Sequence, residues 1–453
     1  MVRLPLAPLA ALALAALASP GGAAELTQVA TAAEPGNPFD LRLSIRWDRT
    51  QQRGKITREY AVEDPAAPGF VPPFGAVVDR TELRYRRVVN ALVPRIALGL
   101  YQDLELHVDI PYVLTDDRSW RYGFENGLPV GPTSGIANNG VDAMDRPCAT
   151  LPCPLFPVGS GTTIYHGGKL GDVRAGIEWG IFNDRKDDTK PAWVVGLDVT
   201  MPTAALDDPS AGRGAVWLSP HADSAKPGSF GEKVWKFDAW TALSRRIGVI
   251  DPYFRAHVTA MRKSNDTWSN CLAADALSTR AVPEMTLAGA ENCTDPGWED
   301  AAGAKLPYVA GLLFGAEIIP HESAADEQKV AIDVRLWGDY TSRQRFYNEL
   351  TDASGKLHWT EPYYTMGGLV ALYLRASRYL SLHASASLAT MTPHFLTGES
   401  LGREGVEAGD VTGATSNGQL NPNFDWRYDA PGRRFRLTET SLFTMSVAGV
   451  LQF

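Results

Sequence analysis

Apolar and polar residues alternate strictly in several stretches of the chain, most clearly between Leu104 and Tyr112. The apolar residues of this stretch are Leu104, Leu106, Val108, Ile110 and Tyr112, and the residues between them include Glu105, His107 and Asp109. Because successive side chains of a β-strand point to opposite faces, such a strand has one apolar face and one charged face. A water-soluble core does not need so regular a charged face, whereas a barrel with a polar lumen and a lipid-facing exterior produces it.

The same alternation recurs along the chain, and the connections between the alternating stretches are short and long in turn. The predicted strands span residues 40–60, 80–101, 104–114, 172–182, 193–203, 233–247, 251–261, 307–319, 329–346, 362–377, 380–391 and 438–453. Single-chain bacterial outer-membrane barrels have even strand numbers, short periplasmic turns and long extracellular loops. The pattern therefore predicts an all-β fold, an antiparallel transmembrane β-barrel of about 12 strands, with about 10 or 14 as alternatives.

The first 24 residues have the layout of a secretory leader. A lone Arg3 precedes an apolar run of Leu and Ala over residues 4–18, and small residues follow up to Ala24. We therefore predict export and cleavage after Ala24, then a flexible periplasmic lead-in over residues 25–38 and a barrel over residues 39–453. Beyond the N-terminus no apolar run approaches the roughly 20 residues of a spanning helix, so strands must make any membrane crossing.

The last predicted strand ends on an aromatic residue. Its apolar face includes Phe443, Val447, Leu451 and Phe453. This strand resembles the closing strand of bacterial outer-membrane barrels, in which a terminal aromatic residue belongs to the membrane-insertion signal. The resemblance implies insertion by the barrel-assembly machinery and a finished barrel surrounded by outer-membrane lipid of a Gram-negative cell.

Four cysteines fit an oxidising compartment. Cys148 and Cys153 lie in one predicted loop, and Cys271 and Cys293 lie in another. Two local disulfides are the natural pairing, although crossed pairings also agree with the sequence. The CxxC and His spacing of zinc sites is missing, so the sequence predicts neither a metal site nor a cofactor. A formal net charge of -9 without a Lys/Arg run also argues against nucleic acid as a partner.

Charged residues on the polar faces of the strands define the candidate lumen. The predicted lumen-lining residues are Arg42, Arg46, Arg95, Glu105, His107, Asp109, Arg174, Glu178, Asp198, Arg255, His257, Asp333, Arg335, Asp339 and Arg375. Such charges cannot face lipid, where Lys or Arg at the midplane costs about 2 to 4 kcal/mol. They either line an open pore or close the lumen by ion pairs, and the sequence supports both readings. Because the two signs nearly balance, we expect no strong ion selectivity.

Four motifs at strand ends carry a family resemblance. They are GLYQDLELHVDIPY (Gly99–Tyr112), LGDVRAGIEWGIF (Leu170–Phe182), WVVGLDVTMPTA (Trp193–Ala204) and WTALSRRIGVIDPYFRAHV (Trp240–Val258). In these motifs the chain resembles the family of outer-membrane proteins named for the MetA pathway of phenol degradation. The resemblance implies a β-barrel that transports hydrophobic or aromatic compounds, and it brings no catalytic residues.

The expected function is an outer-membrane channel or transporter for small hydrophobic or aromatic solutes, without enzymatic activity. One alternative is a non-transporting barrel with structural or surface-binding loops, and a soluble secreted β-sandwich is another. A further alternative is an outer-membrane acyl hydrolase that uses His383 and Ser385, since a His can activate a nearby Ser as nucleophile. That family has Asn-Gly after its His-x-Ser, whereas Ala386 and Ser387 follow here, and the alternation directs His383 inward.

Overall fold

The computed structural model describes residues 24–31, 40–61, 77–125, 128–129, 162–183, 189–209, 227–271, 293, 303–323, 325–402, 421–429 and 431–453. The strands are β1 (Leu41–Ala61), β2 (Val77–Tyr101), β3 (Leu104–Asp109), β4 (Tyr112–Tyr122), β5 (Phe124–Glu125), β6 (Leu128–Pro129), β7 (Thr162–His166), β8 (Lys169–Leu170), β9 (Arg174–Phe182), β10 (Ala192–Thr200), β11 (Val234–Ser244), β12 (Ile250–Lys263), β13 (Val309–Ser323), β14 (Gln328–Thr341), β15 (Gln344–Phe346), β16 (His358–Thr360), β17 (Tyr363–Ser377), β18 (Leu380–Met391), β19 (His394–Phe395) and β20 (Phe435–Gln452). A 3-10 helix (Glu25–Thr27) and two short helices, α1 (Thr351–Ser354) and α2 (Trp426–Asp429), complete the described elements.

Twelve of these strands close into an antiparallel barrel. Around the barrel the order is β1, β20, β18, β17, β14, β13, β12, β11, β10, β9, β3 and β2. The barrel closes because β1 pairs with both β2 and β20. Short connections all lie at one end of the barrel, here called the turn end, and long ones at the other, the loop end. The predicted fold class is thereby confirmed, including the strand number.

The sequence prediction missed a break in the wall. The predicted strand over residues 104–114 is divided at Ile110 and Pro111 into β3 and β4. On the neighbouring strand, residues 171–173 separate β8 from β9 at the same level, and Gly171 N donates to Pro111 O at 2.8 Å. Proline has no N–H to donate to the hydrogen-bond ladder of a sheet. The break therefore lies at a residue, Pro111, that cannot pair as other strand residues do.

Along single strands, the exposed fraction of the side chains differs between the lumen face and the outer face. On β3, Leu106 is 41% exposed, whereas Glu105 and His107 on either side are 2% and 1% exposed. Leu336 and Leu388 reach 68% and 63% exposure on other strands. Exposure of large apolar side chains to this extent is unfavourable in water and favourable in contact with lipid. It is the exterior expected of a membrane barrel. Among the described residues, no helix has the length and apolarity needed to cross a membrane.

A folded layer covers the loop end of the barrel. We call residues 342–362, 394–402 and 421–429 the loop cap. Its apolar residues pack with the strand extensions in one core, which contains Ile56, Leu83, Tyr85, Trp120, Tyr122, Leu350, Ala353, Leu396, Tyr428, Phe435 and Leu437. Trp120 also donates its indole N–H to Glu349 O at 2.8 Å. These contacts attach the cap to the barrel rim.

The described part of the predicted lead-in, residues 25–31, lies inside the turn end together with Ala24, the last residue of the predicted leader. Thr27 Oγ1 is 2.7 Å from Ser244 Oγ, and Ala30 N donates to Glu105 Oε2 at 2.7 Å. Glu25 N donates to the buried carboxylate of Glu317 on the far side of the lumen. We call residues 24–31 the N-terminal segment; it spans the lumen from β3 to β13.

One disulfide lies within the described residues. Cys271 and Cys293 are bonded, with a Cα–Cα distance of 5.4 Å. This is one of the two local pairs that the sequence predicts. Cys148 and Cys153 lie outside the described residues.

Candidate functional site: a polar cavity in the barrel lumen

A cavity of about 640 Å³ lies in the lumen beside the N-terminal segment. Part of its wall consists of small side chains on β1, β18 and β20. These residues are Ser44, Thr50, Ala384, Ser385, Thr444, Ser446, Ala448 and Val450. Because their side chains are short, they leave volume next to this part of the wall. The sequence contained this signal, since the inner face of the last strand is small or polar rather than charged.

The predicted lumen residues divide into two groups. Those that line the cavity are Arg42, Arg46, Arg95, Glu105, Glu178, Arg255 and Arg335. The cavity lining does not include His107, Asp109, Arg174, Asp198, His257, Asp333, Asp339 and Arg375. In this second group, His107, Asp198 and Asp333 are at most 2% exposed and pair with charged neighbours in the wall. These predicted lumen residues therefore stabilise the barrel wall through pairing and do not line the cavity.

One ion-pair network joins β2, β3 and β9. Arg95 Nη2 is 3.1 Å from Glu105 Oε1 and 3.2 Å from Glu178 Oε1. The ring of His107 lies behind these carboxylates, with Nδ1 3.3 Å from Glu178 Oε1. The network thus holds two carboxylates and one imidazole around a single arginine.

The same histidine extends the network to β10. His107 Nε2 is 2.7 Å from Asp198 Oδ1, and Arg174 Nη2 donates to Asp198 Oδ2 at 2.5 Å. The contact between His107 and Asp198 passes over Gly176 on the intervening strand β9. A Cβ atom at Gly176 would overlap both His107 Nε2 and Asp198 Oδ1, so glycine is needed for this approach. Sequence analysis did not single out Gly176.

A second network lies across the lumen on β12, β14 and β17. Arg335 donates to Asp333 Oδ2 through Nε at 2.6 Å and to Tyr373 Oη through Nη2 at 2.5 Å. Tyr253 also donates its hydroxyl to Asp333. Arg335 lines the cavity while Asp333 is fully buried behind it, so the guanidinium forms the cavity surface here.

Arg255 adds an aromatic contact to the cavity wall. Its guanidinium carbon is 4.3 Å from the centre of the Trp240 ring, and Nη2 is 3.8 Å from Asp238 Oδ2. Stacking of this kind is favourable because the ring face is electron-rich. Trp240 and Arg255 both line the cavity, but Trp240 is buried beneath Arg255, so the guanidinium forms the cavity surface here.

His383 and Ser385 both line the cavity. His383 packs edge-on against Tyr373, with ring centres 4.9 Å apart. The hydrogen bonds of the described residues include none between His383 and Ser385. Since an acyl hydrolase of the outer membrane must reach lipid, an inward position of both residues argues against the acyl-hydrolase alternative.

A charged cluster that sequence analysis missed lies at the loop end. Arg118 on β4 donates to Asp207 Oδ2 at 2.9 Å and to Asp352 Oδ2 at 2.8 Å. It also contacts Asp116 Oδ2 at 2.8 Å, and His166 Nε2 is 3.6 Å from Asp352. Burial and the Asp352 carboxylate raise the pKa of Asp207 to about 6. Although burial opposes it, Arg118 helps to hold the pKa of Asp352 below its ordinary range.

The raised pKa of Asp207 predicts a pH dependence for the loop cap. Because its folded-state pKa of about 6 exceeds the ordinary 3.8, the stability contributed by protonation is present below about pH 4 and lost as the pH rises through 6. We therefore expect the cap amides to be better protected from hydrogen exchange at about pH 5 than at about pH 7.5. Protection is measured after correction for intrinsic exchange rates.

The matched variant is Asp207→Asn, which should reduce this pH difference. It should not abolish the difference, because burial also raises the pKa of Asp429 in the cap to about 7. The assignment to Asp207 would be wrong if the variant and the unmodified protein showed the same difference in protection.

Comparisons with known proteins give the following result. No protein-family model matches the chain, and no curated protein matches it. An outer-membrane channel from Pseudomonas putida F1 is similar in structure, with 10% identity and a TM-score of 0.39, over 93% of this chain and 100% of that chain. A FadL homologue of Pseudomonas aeruginosa has 8% identity and a TM-score of 0.32, over 91% of this chain and 90% of that chain.

A further similar structure is the deltaS2 mutant of the TodX monoaromatic hydrocarbon channel. It has 9% identity and a TM-score of 0.31, over 91% of this chain and 90% of that chain. Likeness at these levels carries no argument about function. Since no family model matches, the resemblance to the MetA-pathway family stays a prediction.

Proposed function

We propose that the protein is an outer-membrane channel for small hydrophobic or aromatic solutes. One observation carries the proposal: a closed barrel with an apolar exterior contains a cavity of about 640 Å³. This volume lies within the roughly 300 to 1,000 Å³ that is usual for small-molecule sites. The aromatic side chain of Tyr373 in the wall suits a planar solute, and the arginines suit one with a polar group.

The proposal includes the cellular location. An exported chain with a leader over residues 1–24 would reach the periplasm, where the barrel-assembly machinery would insert it through the signal at Phe443, Val447, Leu451 and Phe453. The exposed apolar exterior supports residence in lipid, since such side chains are costly in water. The loop end would then face outward, and the turn end would face the periplasm.

The two ends of the barrel suggest a gated channel. The loop cap covers one end, and the N-terminal segment crosses the other. A solute would therefore pass from end to end only when both parts move, and would otherwise enter or leave through the wall. The level of Pro111 and residues 171–173 is the candidate lateral route, because both neighbouring strands are interrupted there.

The test is uptake of a radiolabelled monoaromatic compound by cells whose outer membrane contains the protein. Ser385→Trp should abolish most of the protein-dependent uptake, because the indole would occupy the cavity that Ser385 lines. Leu388→Trp is the matched control on the same strand, since Leu388 is 63% exposed on the exterior. Unchanged uptake by a folded, inserted Ser385→Trp variant would contradict the proposal. It would favour a barrel that acts through surface-binding loops.

A further inference from the structure

We propose that Glu105, His107 and Glu178 form a binding site for a divalent transition-metal ion at the edge of the lumen cavity. The sequence predicts no metal site, because these residues come from two separated strands and match no ligand motif. The proposal is independent of which solute passes through the barrel.

The three side chains converge from β3 and β9. Glu105 and His107 are two residues apart and therefore share a face, and Glu105 pairs directly with Glu178 across the ladder. His107 Nδ1 is 3.3 Å from Glu178 Oε1 and 3.6 Å from Glu105 Oε1. Ligand atoms about 2.0 to 2.2 Å from one ion stand roughly 3 to 3.6 Å from each other, so the distances from Nδ1 to both carboxylates already suit a common ion.

The orientation of His107 supplies the second observation. Its Nε2 lies 2.7 Å from Asp198 Oδ1, which orients the ring so that Nδ1 points at the two glutamates. The ring is 1% exposed, and Nδ1 has no hydrogen-bond partner among the described residues. In the tautomer with the proton on Nε2, Nδ1 presents a lone pair to two carboxylates, and a cation between them would balance these three donors. A carboxylate behind a metal-bound histidine is also the usual arrangement at metal sites.

Arg95 supplies positive charge to the site when no ion is bound. Its Nη2 contacts Oε1 of both glutamates, as described above. The side chain is 32% exposed and lines the cavity, and its Nη1 is 3.9 Å from Asp109. The guanidinium can therefore withdraw toward Asp109 while an ion enters from the cavity. Arg95 is a competitor of the ion rather than a ligand.

The donor set defines the class of ion. One imidazole nitrogen with two carboxylate oxygens suits Zn²⁺, Mn²⁺ or Fe²⁺ better than Ca²⁺, which prefers six to eight oxygen ligands. Glu105 and Glu178 both line the cavity, so water can complete the coordination shell. Because Glu105 Oε2 also accepts from Ala30 N, a bound ion would fix the anchor of the N-terminal segment.

The other cluster of suitable residues is less favourable. His166, Asp207 and Asp352 also lie within reach of a common ion. Arg118, however, is only 9% exposed and donates to both aspartates. Unlike Arg95, Arg118 does not line the lumen cavity, so we assign the site to Glu105, His107 and Glu178.

The experiment is calorimetric titration of Zn²⁺ into the folded protein, purified without a histidine tag. We expect one ion per chain in the unmodified protein and tighter binding in Arg95→Gln, because the competing charge is removed. Glu178→Gln and His107→Gln should lose the binding. Asp198→Asn should weaken it about 10- to 100-fold, the usual effect of removing a partner that orients a ligand.

His257→Gln is the matched control. His257 also faces a carboxylate, with Nε2 3.7 Å from Asp339 Oδ1, but it has one acidic neighbour rather than two. Folding of every variant is checked by the difference in gel mobility between heated and unheated samples. The proposal is overturned if the unmodified protein and Arg95→Gln bind no more Zn²⁺ than Glu178→Gln, which would mean that Nδ1 carries a proton. Equal loss in His257→Gln would overturn it as well.

Discussion

Removal of residues 25–31 should make openings of the barrel more frequent, because movement of the loop cap alone would then be enough for passage. In the chain over residues 25–453 the N-terminal segment crosses the turn end, with Thr27 4% exposed and Ala30 fully buried. Without it, the cavity opens directly to the solution on that side. The measurement is single-channel recording in a planar lipid bilayer, comparing refolded chains over residues 25–453 and 32–453.

A substitution tests the same point without a deletion. Ala30→Pro removes the N–H that donates to Glu105 Oε2, whereas Ala30→Gly keeps it. We expect more frequent openings for Ala30→Pro and little change for Ala30→Gly. If the folded 32–453 chain conducts no better than the 25–453 chain, the N-terminal segment does not limit passage. The loop cap would then be the remaining barrier.

Arg118→Met should destabilise the loop cap by roughly 3 to 5 kcal/mol, the usual cost of breaking a buried ion pair by removing one partner. Arg118 is the shared donor to Asp116, Asp207 and Asp352, and all four residues are buried. Without the guanidinium, Asp207 and Asp352 repel each other in a buried site, whereas Asp116 keeps its ion pair with Arg87. The readout is hydrogen-exchange protection of the cap amides, which reports local opening without unfolding the barrel.

Two further variants separate charge from packing. Arg121→Met, at an exposed position on the same strand, should leave cap protection unchanged. Adding Asp207→Asn and Asp352→Asn to Arg118→Met should restore much of the protection, because the unbalanced charges are removed. Loss of protection that the added changes do not restore would show that Arg118 acts through packing.

If the cap and the N-terminal segment are barriers in series, the two changes should reinforce each other. The 32–453 chain with Arg118→Met should conduct more than either change alone would suggest. Simple addition of the two effects on conductance would indicate separate paths. The break at Pro111 would then be the candidate for the second path.

The sequence predicted features that depend on residues close together in the chain, and it missed features that depend on contacts between distant residues. The alternation around Leu106 shows which side chains face lipid, because that property belongs to each strand separately. It did not show the break at Pro111, although proline is a known interruption of strands. The alternation also did not predict the loop cap. That layer depends on contacts between distant residues, such as Trp120 and Glu349, which are 229 residues apart.

The candidate site shows the same division. Alternation put Glu105, His107 and Glu178 on inner faces, but nothing local shows that they share one ion-pair network. That meeting depends on the register of β3 against β9, and on Gly176, which lets His107 reach Asp198 across the intervening strand. Register is set by pairing along whole strands and by closure of the barrel, so a single stretch of sequence does not contain it.

By itself, the sequence therefore determined the barrel and the sense of its two faces, because each strand meets lipid on one side and the lumen on the other, and it placed the strand number near twelve. Only the tertiary structure decided where the cavity lies, which charges pair, and that the N-terminal segment and the loop cap cover the two ends. These features arise from contacts between residues far apart in the chain, which form only when the barrel has closed.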